Sequence, residues 1–139
     1  MARINCYLGL DGSCREAMTF YRECFGGELN LQTVGESPMK GQFPDFMQDK
    51  IIHSTLTNGD LTIMGSDLSD EKNVVKGSSV SLSITCDSEE QTRQYFASLA
   101  AGGKIVHPIH EFFAGLMGNL VDQYGVKWMF YFDKTDRQS

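Results

Sequence analysis

The stretch NCYLGLDGSCREAMTFYRECFGGEL, residues 5–29, decides the fold because its pattern returns as SLSITCDSEEQTRQYFASLAAGGKI, residues 81–105. Each copy contains a short apolar strand, a helix with a polar start and a closing glycine pair. The pair Gly26-Gly27 recurs as Gly102-Gly103, 76 positions later. A duplicated supersecondary unit of this kind predicts two half-domains that share a small-molecule cleft.

Each copy begins its helix with the pattern of a capping box. Ser13 is followed three residues later by Glu16, and Ser88 by Gln91, so each serine hydroxyl is expected to accept a backbone N–H at the helix start. Apolar runs then predict three further strands in each half. The predicted strands are 5–10, 28–34, 51–58 and 60–64 in the first half and 80–86, 104–109, 112–120 and 126–132 in the second, with a loop at 35–49 and a polar link at 65–79.

Alternation along the strands predicts which side chains point away from the helix. Leu82, Ile84 and Cys86 are expected to pack under the second helix, which sends the residues between them to the opposite face. The same reasoning applies to the other strands. The side chains predicted on the concave, ligand-facing side include Tyr7, His53, Met64, Ser81, Ser83, Thr85, Met129 and Tyr131.

Composition excludes several classes of protein. The chain has 139 residues, a hydrophobic fraction of 41% and a net charge of -6, which favours a packed domain and excludes the basic surface of a nucleic-acid binder. Its start shows neither a signal peptide nor a membrane span, so we expect a cytoplasmic protein. The four cysteines are scattered and are expected to be buried free thiols.

Three histidines and two turn aspartates are candidates for chemistry. His53 shares the polar face of its strand with Thr55 and Thr57, so it is a tentative catalytic base or else a hydrogen-bonded structural residue. His107 and His110 flank Pro108 in a loop or strand edge, where a surface role is favoured over metal ligation. The aspartates, Asp67 and Asp122, lie beside turns and are either turn residues or site residues.

The residues that carry a family resemblance span most of the chain. They are YLGLDGSCREAMTFYRECFGG at 7–27, the strand that holds His53, Ser66-Asp67, and DQYGVKWM at 122–129. Together they resemble the PhnB-like branch of the glyoxalase/bleomycin-resistance/dioxygenase superfamily, also called the vicinal oxygen chelate proteins. The resemblance implies an α+β domain of two βαβββ repeats, at about 3–66 and 79–133, whose curved mixed sheets form a cup. It also implies a homodimer.

The resemblance further implies where a metal ion would bind. Enzymes of this superfamily hold a divalent ion with His, Glu or Gln from the first and last strands of each module. On this chain those positions fall at about Asn5, Met64, Ser81 and Met129. Thioether, hydroxyl and amide groups are poor ligands for Zn, Ni, Mn or Fe(II), so no metal site and no cofactor are predicted, although a divalent metal is left open.

Three functions compete on these grounds. The first is a metal-free protein that binds a small molecule, with Tyr7, Met64, Asp67, Ser81, Ser83, Met129 and Tyr131 as its binding residues. The second is a lyase, isomerase or dioxygenase-like enzyme with an off-pattern site around His53, supported by Asp67, Glu111 or Asp122. The third is a non-catalytic regulatory dimer. Relatives of the resembled family also carry a methyltransferase label, but no glycine-rich loop follows the first strand to hold a nucleotide-like methyl donor.

Overall fold

The computed structural model describes residues 2–68 and 77–134 of the chain. The chain divides into two compact units, Met1–Val75 and Lys76–Ser139, and each unit holds one four-stranded mixed sheet and one helix that packs on it. The predicted α+β class with two βαβββ modules is therefore confirmed. The cup shared by the two modules stays a prediction.

The first unit follows the predicted order of elements. Its sheet has the strand order β1-β4-β3-β2, in which β1 runs parallel to β4 and the other neighbours are antiparallel. Two short 3₁₀ turns, Lys40–Gln42 and Asp45–Met47, lie in the predicted loop. The elements are β1 (Cys6–Gly9), α1 (Cys14–Phe25), β2 (Glu28–Thr33), β3 (Ile51–Asn58) and β4 (Leu61–Ser66).

The second unit repeats this topology. Its sheet has the order β5-β8-β7-β6, again with the first strand parallel to the last. Helix α2 contacts β6, β7 and β8, and Phe96 on α2 meets Phe130 on β8 edge to face at 5.5 Å between ring centroids. The elements are β5 (Leu82–Thr85), α2 (Glu89–Ala100), β6 (Lys104–Phe112), β7 (Gly115–Val121) and β8 (Lys127–Asp133).

The repeated glycine pairs have one physical cause. The second glycine of each pair lies where the chain leaves the helix and passes close to the third strand of its own sheet. A Cβ at Gly27 would collide with the Thr57 carbonyl oxygen, and a Cβ at Gly103 with that of Val121. Gly27 also has a φ of 101°, which disfavours any L side chain. The close approach requires glycine at both positions.

The two helices start differently, and here one prediction is wrong. The Ser88 hydroxyl accepts the Gln91 N–H at 3.0 Å, which confirms the second cap, although the Gln91 side chain accepts from the N–H of Asp87 instead of Ser88. Ser13 makes no side-chain cap; its hydroxyl donates to the Leu10 carbonyl at 2.7 Å. The first capping box is absent, and the N–H of Cys14, the first residue of α1, is instead accepted by a distant residue described below.

Two predicted boundaries also change. Strand β6 does not end before His110 but continues past Pro108 to Phe112, because irregularities in its pairing with β7 accommodate the proline. The predicted polar link begins too early, since Gly65 and Ser66 still pair in β4. The part of that link at 69–76 lies outside the described residues.

Candidate functional site

The face of the first sheet that points away from α1 carries a row of side chains in register. Tyr7 on β1 pairs with Met64 on β4, Met64 pairs with Thr55 on β3, and Thr55 pairs with Asn30 on β2. Tyr7 is exposed, whereas its neighbours Cys6 and Leu8 are half-buried. We call this surface the first open face. It contains the predicted positions Tyr7, His53 and Met64.

His53 lies beside this row. Its Nε2 is 3.2 Å from the Thr55 hydroxyl, and its ring lies 6.4 Å from the Tyr7 ring between centroids. Neither of these partners is a carboxylate that would orient the imidazole as a base. A catalytic role for His53 therefore stays a prediction.

The corresponding face of the second sheet, the second open face, carries a different set of groups. Ser83 on β5 pairs with Met129 on β8, Met129 with Asn119 on β7, and Asn119 with His107 on β6. The next row joins Thr85, Tyr131, Met117 and His110. The predicted binding residues Ser83, Met129 and Tyr131 thus share a face, while Ser81 is exposed and lies just before β5.

Two histidines reach this face through bulges in β6. Residues three apart in a regular strand point to opposite faces. Here His107 pairs with Asn119 and His110 pairs with Met117, so two residues of β6 stand opposite Gly118 alone. Both imidazoles therefore lie on the second open face. The sequence predicts a loop or a strand edge for both histidines, and Pro108 inside a strand is the signal of a bulge.

A concave pocket of about 280 Å³ lies on this face. Gly118 forms part of its wall beneath the bulge, where an added Cβ would lie 2.9 Å from the Ile109 Cδ1 and 3.1 Å from the His107 carbonyl oxygen. A larger residue at this position would require the Ile109 side chain and the backbone of the bulge to shift. The residues that line the pocket are His107, His110, Met117, Gly118, Asn119 and Met129.

Hydrogen bonds orient both imidazole rings in the pocket. The Nδ1 of His107 lies 3.0 Å from the Asn119 Oδ1, and the Nδ1 of His110 lies 2.8 Å from the Pro108 carbonyl oxygen. Amide and carbonyl oxygens only accept hydrogen bonds, so each Nδ1 carries a proton and donates. In the neutral rings the Nε2 atoms keep their lone pairs.

The aspartate predicted at the site of the first unit is engaged elsewhere. Asp67 is buried, and its Oδ1 accepts the N–H of Gly12 at 2.7 Å and of Cys14 at 2.9 Å. Its Oδ2 accepts the Ile51 N–H at 2.9 Å. Asp67 thus caps α1 and joins the start of β3 to the end of β4. Its predicted role in ligand binding remains a prediction.

The acidic residues of the second unit are also engaged in structural contacts. Asp122 is buried and accepts the N–H groups of Tyr124 and Val126 within its turn and the Trp128 Nε1–H at 2.8 Å. Glu111 forms an exposed ion pair with Lys134 at 3.3 Å. These contacts stabilise the β7–β8 turn and the end of the sheet.

The four cysteines are free, and three of them are buried. Burial raises the pKa of the Cys14 thiol to about 11, and this thiol lies 3.3 Å from the Ser54 hydroxyl. Burial also raises the pKa of Cys6 to about 11 and that of Cys86 above its ordinary value. A thiol that stays protonated at neutral pH is a weak nucleophile, so burial disfavours a nucleophilic role for these three cysteines.

The positions where the superfamily's enzymes hold a metal ion do not fit a divalent ion. Met64 and Met129 occupy equivalent places on the last strands of the two sheets, and Asn5 and Ser81 immediately precede the first strands. None of these offers the imidazole, carboxylate or thiolate that Zn, Ni, Mn or Fe(II) prefers. Within residues 2–68 and 77–134, no three His, Cys, Asp or Glu side chains group together as a metal site.

The fold and its two open faces define the class of protein: an α+β chain of two βαβββ modules. At the level of fold the chain is similar to a glyoxalase-related enzyme from Fulvimarina pelagi, at 19% identity and a TM-score of 0.60 over 96% of this chain and 89% of that one. Among the helices in the described part of the chain, none is long and apolar enough to cross a membrane.

Comparison of sequences then gives the family. The model of the family described as 3-demethylubiquinone-9 3-methyltransferase matches residues 2–131. Protein YjdN of Escherichia coli K12 is 32% identical over 134 residues, which cover 88% of this chain and 90% of YjdN. The chain therefore belongs to this PhnB-like family, and its fold is similar to that of glyoxalase/bleomycin-resistance proteins.

Two solved structures are similar to the whole chain. Protein PA1353 from Pseudomonas aeruginosa has 32% identity and a TM-score of 0.84, with 96% of this chain and 98% of that one covered. A putative 3-demethylubiquinone-9 3-methyltransferase, PhnB protein, from Bacillus cereus has 27% identity and a TM-score of 0.73, with 94% and 99% covered.

Proposed function

We propose that this chain binds a small organic molecule on its open faces and does so without the divalent metal ion of the superfamily's enzymes. The observation that carries the proposal is the pocket of about 280 Å³ on the second open face. Concave sites lined by apolar groups and a few oriented polar atoms are typical of small-molecule binding.

The lining of the pocket indicates the chemistry of this ligand. Met117 and Met129 supply polarisable thioethers that adapt to irregular apolar shapes. The oriented imidazoles and Asn119 supply hydrogen bonds at one side of the pocket. Among the described residues that line it, none carries a carboxylate or an ammonium group. We therefore expect an uncharged, partly aromatic ligand.

Methyl transfer, the activity in the names of the matched family and of the Bacillus cereus protein, is not the function proposed for this chain. A nucleotide-like methyl donor is typically held at the turn between a first strand and its helix. In this chain Asp67 accepts the N–H groups of Gly12 and Cys14 at that turn. These N–H groups are therefore already engaged and not available to a cofactor at that turn.

The proposal is tested by a thermal-shift screen of uncharged aromatic compounds against the full chain in the presence of a strong chelator. A compound that binds only the folded state raises Tm with its concentration. We expect Met129→Ala, which shortens a side chain of the pocket that is 36% exposed, to reduce the Tm shift of every compound that binds.

Met39→Ala is the matched control, because Met39 is 40% exposed and lies outside both open faces. It should leave the compounds' Tm shifts unchanged. If no compound stabilises the chain, or if Met129→Ala and Met39→Ala respond alike to the compounds that do, the pocket is not the binding site. The predicted homodimer is checked on the same samples by sedimentation.

A further inference from the structure

The second open face brings together four soft donor groups. His110 and Met117 face each other directly across β6 and β7, and His107 and Met129 lie in the neighbouring row on either side of Asn119. All four side chains line the pocket described above. Opposed residues on neighbouring strands have Cβ atoms roughly 5 Å apart, which brings His110 within reach of Met117, while His107 and Met129 flank Asn119 on the same face.

The orientation of the imidazoles matches that of metal ligands. A histidine that binds a metal ion usually donates its second ring N–H to a carbonyl or carboxylate, which fixes the tautomer. His110 donates from Nδ1 to the Pro108 carbonyl, and His107 donates from Nδ1 to the Asn119 side chain. Because Nδ1 is engaged in both rings, Nε2 is the nitrogen that each ring has left for a metal ion.

We propose that this pocket is a binding site for a soft monovalent metal ion of the Cu(I) or Ag(I) class, held by the Nε2 atoms of His107 and His110 and the thioethers of Met117 and Met129. Thioether sulfur selects Cu(I), and imidazole binds copper in either oxidation state. The proposal goes beyond the proposed function and does not require an organic ligand.

The same donor set disfavours harder cations. Carboxylates and carbonyl oxygens, which Mg, Ca and Mn prefer, do not occur among the side chains that line the pocket apart from the Asn119 amide. Two thioethers add nothing for Zn(II), which takes imidazole, thiolate or carboxylate. The net charge of -6 attracts cations to the chain but does not distinguish among them. Selectivity therefore rests on the two methionines.

The test is a competition for Cu(I) between the full chain and the chromogenic chelator bicinchoninate, under ascorbate and argon. The background carries Cys6→Ser, since Cys6 is the cysteine that is not buried. We expect a single Cu(I) to be withdrawn from the chelator per chain, and an excess of Zn(II) not to displace it. Met117→Leu and Met129→Leu should each weaken the affinity at least about 10-fold, and Asn119→Ala by about 10-fold through loss of the orienting bond.

Met39→Leu is the control, because it removes an exposed thioether elsewhere in the chain and should not change the affinity. Leucine nearly conserves the volume of methionine, so the variants should fold. If Met117→Leu does not fold, Met129→Leu still tests the site, because Met129 is exposed. The proposal is overturned if the parent chain withdraws no Cu(I), if binding vanishes with Cys6→Ser, or if the affinity of Met129→Leu equals that of Met39→Leu. If organic compounds still raise Tm in the presence of chelator, the proposed function would remain supported although the metal site is not.

Discussion

The two units have the same strand order, but the start of one helix is capped by a distant residue and the start of the other by neighbouring residues. In the first unit, α1 is capped by Asp67, 53 residues beyond Cys14, whose N–H it accepts. In the second unit, α2 is capped by Ser88 and Gln91 from its own first turn. The comparison teaches that one local pattern can yield either a local or a long-range cap, depending on which acceptor reaches the helix start.

The largest expected effect comes from removing the long-range cap. Asp67→Ala leaves the N–H groups of Gly12, Cys14 and Ile51 without their acceptor, and the hydrogen bonds to Cys14 and Ile51 are buried. Each unsatisfied group costs about 1–3 kcal/mol and the costs overlap, so we expect a loss of about 3–5 kcal/mol in the free energy of unfolding. Urea denaturation measures the loss, and amide hydrogen exchange locates it at these three N–H groups.

Asp49→Ala is the matched control for this variant, since it removes an exposed carboxylate in the same unit. Its effect should stay within about 0.5 kcal/mol. Equal stability of the two variants would contradict the long-range cap.

An intermediate effect is expected from the local cap of the second unit. Ser88→Ala removes the hydroxyl that accepts the Gln91 N–H, which costs about 1 kcal/mol for a helix N-cap. The fluorescence of Trp128, the single tryptophan and a buried residue of the second unit, reports the unfolding. A variant as stable as the parent chain would show that α2 does not depend on its own cap.

The smallest effect is expected at Ser13, which occupies the equivalent place in the first unit. Its hydroxyl donates to the Leu10 carbonyl and caps no N–H of α1. Ser13→Ala should therefore cost less than Ser88→Ala, at about 0.5 kcal/mol or below in urea denaturation. A cost equal to that of Ser88→Ala would remove the contrast between the two helix starts.

Much of this fold is predictable from the chain itself. Cys6 and Leu82, 76 positions apart, occupy equivalent places: Cys6 pairs with Ile63 and Leu82 with Trp128, so the two first strands begin their pairing alike. Periodicity and the glycine pairs predict the order of elements because each follows from local backbone and packing requirements. The absence of a cap from Ser13 was not predictable in this way, since the carboxylate at this helix start, Asp67, comes from far along the chain.

The candidate site was predicted only in part. Strand alternation correctly predicts that Ser83 and Tyr131 lie on strand positions facing away from the buried Trp128 and Phe130. Alternation cannot predict the position of His110, because a bulge reverses the parity of the strand after it. The pocket therefore contains two imidazoles that regular strand geometry would have divided between opposite faces.

The irregular strand β6 has a second consequence for the molecule. Strand β6 is an edge strand of its sheet. The unpaired backbone groups of a regular edge strand can pair with a strand from another chain. Pro108 has no N–H to offer, and the register shifts on both sides of His107 interrupt the regular geometry of β6. The distortion that brings the two histidines into the pocket thus also disfavours pairing of this edge with a strand from another chain.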